Sequence, residues 1–223
     1  MKAVLQSEFA YMRTTFVATI ISFAVVYIAL CFSMGSAAPI SALCAIEPLL
    51  FLLTFASADA SNGWGRFRAA LPVSRRDIIA GRYTTLLLFS IITIIACIAL
   101  SALTNILAGS VSADFECLPA IEIAGICVTT TAAMLIIVAF VQPFLIKFGN
   151  VAGARYVMIA FVVFAFAFIT CINYLASSDF LAAVGQWIDD NIGLFVVLCA
   201  AVGLVSYAIS GAISLRIYQR KDL

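Results

Sequence analysis

The stretch YTTLLLFSIITIIACIALSALTNIL, Tyr83 to Leu107, contains no charged side chain. A bilayer core about 30 Å thick is crossed by roughly 20 helical residues, and this run is longer than that. Transmembrane strands must close into a barrel, and they show short alternating segments rather than solid apolar blocks. The run therefore predicts a membrane-spanning helix. Five further stretches share its character, at about 16–34, 40–58, 121–145, 156–175 and 192–215. With 83–107 they predict an all-α integral membrane protein with six transmembrane helices in one transmembrane domain over 1–223.

Composition excludes the water-soluble alternative. Hydrophobic residues make up 65% of the chain and charged residues 10%, against roughly 45–50% and about 25% in ordinary globular domains. A soluble fold of this composition would leave a large apolar surface in water. The net charge is +1, so nothing points to a nucleic-acid partner. There is no histidine, which removes the easiest general base near neutral pH and the commonest metal ligand. The seven cysteines are scattered and form no CxxC pair. Six fall in or beside apolar runs, where small buried thiols are ordinary, and Cys117 falls in a connecting segment. No catalytic, cofactor-binding or metal site is expected. The N-terminus does not read as a cleaved signal peptide, because Arg13 still precedes the first long apolar run.

The charges sort by side. Lys2 and Arg13 precede the first span. Arg66, Arg68, Arg75, Arg76 and Arg82 lie between spans two and three, Lys147 and Arg155 between four and five, and Arg216, Arg220 and Lys221 after six. The opposite connections carry Asp114, Glu116, Asp179, Asp189 and Asp190 and no lysine or arginine. The positive-inside rule then predicts both termini in the cytoplasm.

Five of the twelve basic residues crowd into WGRFRAALPVSRRDIIAGRY, Trp64 to Tyr83. Asp59, Ser61 or Asn62 can cap a short helix there. Trp64, Phe67 and Leu71 would share one face of it, flanked by Arg66 and Arg68, and Pro72 would end it. The predicted element is a short amphipathic helix between spans two and three. Ser74 then starts a second helix, with Asp77 as an acidic variant of the capping box and Val73 and Ile78 as the staple. This helix is expected to run continuously into span three. Arg75 and Arg76 would sit in its first turn, the unfavourable end for cations at about 0.3–1 kcal/mol each. Two readings account for the arginines. They anchor topology against anionic headgroups, at about 1 kcal/mol each, or they rim a docking surface for a cytoplasmic partner.

These residues resemble the loop between helices two and three of ABC-2-type transporter permeases, and most nearly the bacterial six-helix permeases linked to lantibiotic, bacteriocin or toxic-peptide export. Asp59, Trp64, Leu71 to Arg75, Asp77, Arg82 and Tyr83 take that pattern's positions. PFLIKFGNVAGAR (Pro143–Arg155), SGAISLRIYQRKDL (Ser210–Leu223) and the N-terminal SEFAYMRTT (Ser7–Thr15), similar to a short elbow, extend the likeness along the chain. Ala60, Arg82 and the Ser7-Glu8 pair depart from the family's commoner residues. The resemblance implies a single ABC-2-type transmembrane domain that forms the membrane half of an exporter. A second permease copy or paralogue would pair with it in the cell membrane, among lipid. A separate cytoplasmic ATP-binding subunit would hydrolyse ATP with Mg, and the chain has no G-x-x-x-x-G-K-[ST] stretch of its own. Asp59, Trp64, Arg66, Phe67, Arg68, Arg75, Arg76, Asp77 and Arg82 are the implied ATPase-docking residues. The implied cargo is an amphipathic peptide or lipid-like molecule moved outward.

Inside the spans, Glu47 is the exception to the apolar rule. An intramembrane carboxylate is a functional candidate by default, and Pro48 beside it frees a backbone carbonyl and permits a kink. Glu47 lies about two turns into its span. An external-end structural role and a pathway or gating contact both remain open for the pair. Gly203, Tyr207 and Gly211 recur at i+4 spacing in span six, a small-residue face suited to close helix packing either within the chain or between two copies. Rival functions are an ion-gradient-driven secondary transporter and a non-catalytic regulatory membrane subunit.

The predicted topology has a direct check. Asn191→Cys in a cysteine-free variant should react with an impermeant thiol reagent added to intact cells. Labelling only after permeabilisation would invert the map.

Overall fold

A computed structural model describes residues 2–37, 39–61, 74–111, 115, 117–148 and 179–220. Their elements in order are α1 (Lys2–Met34), α2 (Ile40–Ser61), α3 (Arg75–Val111), α4 (Ala120–Phe148), α5 (Asp179–Asp190) and α6 (Ile192–Gln219). The protein is an all-α multi-span membrane protein. Among the described residues, four stretches are long and apolar enough to cross a bilayer: Phe16–Met34, Arg75–Leu107, Ala120–Phe148 and Ile192–Gln219. The apolar part of α2, Ile40–Phe55, is shorter. The span expected at 156–175 and the amphipathic helix expected before Pro72 lie outside the described residues.

Local chemistry sets the helix ends. Ser74 accepts the Asp77 N–H at its side-chain oxygen (3.1 Å) and at its carbonyl (3.0 Å), so the expected cap is present. From there α3 continues unbroken for 37 residues, about 55 Å, as the reading of a helix running on into span three anticipates. At the other end of the fold's first helix, Gly35 has φ +64° and donates its N–H to the Cys31 carbonyl at 2.8 Å. That is an αL stop, which a side chain would strain. Residues 7–15, which resemble a separate elbow, are part of α1, which is helical from Lys2.

The helix α5 is the element that the sequence reading passed over as a connection. Its apolar residues Val184, Trp187 and Ile188 fall on one side at helical spacing. Trp187 is exposed there, as suits a short amphipathic helix lying along an interface.

At the centre of the fold, α3 contacts α1, α2, α4 and α6, while α4 and α6 form the most extensive pair. Two apolar clusters fill the interior. One joins α1, α2 and α3 through Phe16, Phe51 and Phe89, whose ring centroids lie 5.3, 4.4 and 5.1 Å apart, and it continues to Tyr83, Val138 and Tyr207. The other gathers Tyr27, Cys31, Ile40, Cys44, Cys97 and Cys127. Large apolar side chains on the outer faces, such as Ile21 and Val25 on α1 and Val205 and Ile209 on α6, are exposed.

The α4–α6 pair depends on a missing side chain. A Cβ at Gly203 would come within 3.0 Å of the Ala132 carbonyl oxygen and 3.1 Å of its Cα. These are backbone atoms that cannot swing aside. The Gly203–Tyr207–Gly211 face therefore packs within the chain, which resolves the two readings left open by its spacing. Overpacking of a tight contact costs typically about 1–3 kcal/mol. Gly203→Val should lower the melting temperature of the purified protein by several degrees. Gly193→Val, at a glycine with open space around it, should leave it almost unchanged. Equal melting temperatures for the two variants would refute this packing.

Candidate functional site

Of the implied docking region, the described residues include Asp59 and the basic end of α3. Arg75, exposed in the first turn, reaches across to α6. It donates from Nη1 to the carbonyls of Tyr218 (3.3 Å) and Gln219 (3.1 Å). These carbonyls lie in the last turn of α6, the end at which a helix carries partial negative charge. An arginine that is unfavourable for its own helix thus sits favourably at the negative end of another. Arg76 is exposed and stands at one end of a groove of about 500 Å³ between α3 and α6, whose walls include Tyr83, Leu87, Leu204 and Gly211. Asp77 is half-buried, with its N–H held by the Ser74 cap. Arg82 is also half-buried, its guanidinium 5.6 Å from the centroid of the Phe55 ring on α2, within cation–π range. Asp59 belongs to the last turns of α2. Trp64, Arg66, Phe67 and Arg68 lie outside the described residues.

One turn inward, Tyr83 forms a polar knot. Its hydroxyl lies 2.8 Å from both the Ser210 and the Ser214 hydroxyl of α6. Ser210 in turn donates to the Ala139 carbonyl of α4. Tyr207 donates to the Tyr83 carbonyl at 3.1 Å, and the two tyrosine rings sit 4.8 Å apart. Gly211 lies beside this ring, where a Cβ would make ordinary contact at 3.4 Å from Tyr83 Cδ1. Three helices are tied at one level, just behind the basic end.

Glu47 occupies a second polar position, deeper in the bundle. It retains 2% of its surface exposure, although it lies only two turns into α2. Water at the helix end therefore does not reach it. Ser90 and Thr93, one turn apart near the middle of α3, face the carboxylate. Among the described residues, none of Glu47 Oε1, Ser90 Oγ or Thr93 Oγ1 closes a hydrogen bond of good geometry. A cavity of about 130 Å³ opens onto Glu47 and Thr93 and is otherwise walled by residues such as Phe23, Leu43 and Cys97. Pro48, buried beside Glu47, has no N–H to offer the Cys44 carbonyl one turn back. Sequence reasoning found Glu47 and Pro48 but missed Ser90 and Thr93. Their signal was present in hydroxyl residues recurring along one α3 stripe within an apolar run: Ser90, Thr93, Ser101 and Thr104, all buried. Among the described residues, no group of three histidine, cysteine, aspartate or glutamate side chains is placed to hold a metal ion.

The family described as ABC-2 family transporter protein matches residues 5–219 of the chain through its sequence model. No curated protein and no solved structure matches.

Arg75 offers a local test of the basic end. Arg75→Ala should lose the ties to Tyr218 and Gln219, worth about 0.3–1 kcal/mol for a cation at a helix C-terminus. Amide exchange over Ile217–Arg220 should quicken severalfold while exchange in the middle of α3 stays unchanged. Unaltered exchange at the α6 end would remove Arg75 from that role.

Proposed function

The chain belongs to the ABC-2 transporter family, and from that premise we propose that it is the permease subunit of an ATP-driven exporter. Chains of this family are non-catalytic transport components, and an ABC ATPase is the family's general partner. This chain is a multi-pass membrane protein, consistent with a bacterial plasma membrane. The finer proposal is that a cytoplasmic ATPase docks on the loop from Asp59 to Arg82. Two permease subunits would pair, among lipid, to enclose an outward path for an amphipathic peptide or lipid-like cargo. Six spans with both termini in the cytoplasm are part of this reading, since the basic residues then share one side.

The observation that carries the proposal is the family match over 5–219, joined to the unbroken helix from Arg75 into the membrane. A docking loop is useful to an exporter only if movement there reaches the spans. The helix α3 has no break at the membrane boundary that would absorb such movement, and Arg75 and Tyr83 join it to α6. Closure of the ATPase would then shift α3 and α6 as a pair, and packed helices respond to such a shift by changing between discrete arrangements. In this reading Trp64 and Phe67 are the apolar contacts. Arg66, Arg68 and Arg76 form the basic rim, and Asp59, Asp77 and Arg82 shape the loop's two ends. Arg75 contributes by fixing the α6 end. Glu47 and Pro48 are the pathway or gating candidates.

The test is co-purification with the candidate ATPase, followed by ATPase and export assays in vesicles. Trp64→Ala, Phe67→Ala and Arg76→Ala together, with Arg75 left in place, should reduce ATPase capture and export at least tenfold without loss of membrane insertion. Wild-type capture and export in the triple variant would rule out the docking assignment. Export that survives ATP depletion and collapses with an ion gradient would favour a secondary transporter instead.

A further inference from the structure

The groove between α3 and α6 is apolar along its walls and charged at one end. Its walls run from Arg76 to Leu87 on α3 and from Leu204 to Leu215 on α6. Each wall covers roughly 16 Å of helix, about half of a hydrocarbon core of about 30 Å, which is the depth of one leaflet. The polar groups along the walls are already engaged. The Thr84 hydroxyl donates to the Ala80 carbonyl, the Tyr83 hydroxyl meets Ser210 and Ser214, and the Tyr207 hydroxyl donates to the Tyr83 carbonyl. What faces the groove is hydrocarbon, with Leu87, Leu204 and Leu215 on its sides and small residues such as Ala208 and Ala212 leaving it open. Arg76 lines one end and is exposed. Leu204, Ala208 and Ala212 follow one stripe of α6, and Arg216, also exposed, is the next residue on that stripe. A helical side chain leans toward the N-terminus of its own helix, which carries Arg216 back over Ala212. The bonds from Arg75 to Tyr218 and Gln219, and from Tyr83 to Ser210 and Ser214, align α3 and α6 antiparallel. Both arginines therefore stand at the same mouth. Asp77, next to Arg76 in sequence, does not line the groove. Arg75 covers the carbonyl end of α6, and the first turn of α3 adds the positive end of a helix.

We propose that this groove binds one anionic phospholipid from the leaflet at the basic end, with an acyl chain between α3 and α6 and the phosphate between Arg76 and Arg216. Arginine meets phosphate with two parallel N–H···O bonds, and its stem can lie on apolar surface while its head stays at the polar boundary. A water-soluble anion would leave the apolar walls of a groove of about 500 Å³ unfilled. A zwitterionic lipid would bring a cation to the same two arginines. A helix from a second copy would need the full bilayer depth, about twice what the groove offers. Seated there, the lipid would add a tie between α3 and α6 beside those of Arg75 and Tyr83.

The test needs neither ATPase nor cargo, and Arg216 lies outside the docking rim, so its failure leaves the exporter reading standing. The full chain is reconstituted in vesicles of phosphatidylglycerol and phosphatidylcholine in equal amounts with identical acyl chains. It is then extracted in mild detergent, and the retained lipids are counted by mass spectrometry. The wild type should retain phosphatidylglycerol over phosphatidylcholine roughly twentyfold. Arg76→Gln and Arg216→Gln should each lower that preference about fivefold, the equivalent of about 1 kcal/mol for one basic residue at an anionic headgroup. The two together should bring it close to parity. Ala208→Phe, which fills the groove and keeps both arginines, should lower phosphatidylglycerol retention severalfold. Ile209→Phe, on the same helix but outside the groove, should not. Arg76, Ala208, Ile209 and Arg216 are all exposed, where substitutions rarely unfold a chain. Equal retention of the two lipids by the wild type would overturn the proposal, as would a preference that survives the double arginine variant. Equal loss in the two phenylalanine variants would overturn the groove assignment. A changed oligomeric state in Ala208→Phe with lipid retention intact would make the groove a contact between subunits and overturn the lipid site.

Discussion

Within a bilayer, pressing leucine against leucine gains little over leaving it in lipid, so helices associate through close approach and shared polar groups. The rest of this structure depends on that constraint. Around Tyr83 the chain uses both devices together. Gly211 packs beside the tyrosine ring, whose hydroxyl meets Ser210 and Ser214. Ser210 passes the connection to the Ala139 carbonyl on α4. Higher on the same face of α6, Gly203 lies against the backbone of Ala132. Small residues and hydroxyls thus alternate along one side of α6, while its opposite side keeps large apolar residues exposed. A tyrosine and a few serines matter more here than the many leucines, because only they distinguish protein contact from lipid contact.

That distribution explains what was legible in the sequence and what was not. Span positions were legible because hydrocarbon thickness imposes a length on any apolar run. The α3 start was legible because Ser74 and Asp77 supply a local cap whose geometry needs no tertiary partner. The use of Gly203 and Gly211 was only half legible: spacing revealed a contact face, but the partner lies on other helices. Arg75 was legible as a cation placed against its own helix dipole. Its benefit became apparent only with the end of α6 beside it, a juxtaposition of residues 143 and 144 positions apart. The amphipathic α5 was missed because a twelve-residue helix is too short to span and its flanking acids suggested a plain external connection.

Glu47 illustrates a different limit. Its position two turns inside α2 suggested contact with water at the membrane surface. Depth along one helix does not measure burial when a neighbouring helix extends past it. Here α3 rises well beyond that level on both sides, and Ser90 and Thr93 near its middle are the groups that meet the carboxylate. Aromatic packing from Phe16, Phe51 and Phe89 closes the space on one side. The cluster around Tyr27, Cys44 and Cys97 closes it on the other. A carboxylate between two apolar clusters cannot be relieved by a small side-chain movement, because neither direction leads promptly to water.

The hydrogen bonds of α3 are therefore unevenly placed, and their placement bears on how the bundle can move. At its basic end, Arg75 and Tyr83 bond firmly to α6. At its far end, Thr104 makes a 3.3 Å contact with Tyr27 of α1. Between them, Ser90 and Thr93 point toward α2 without closing bonds of good geometry. A load applied at the basic end is shared with α6 first, since those ties are nearest. Displacement against α1 and α2 is resisted mainly by aromatic packing, which tolerates small shifts better than directed hydrogen bonds do. At the level of Glu47, among the described residues, α3 and α2 are thus held by apolar packing around a carboxyl group rather than by closed hydrogen bonds.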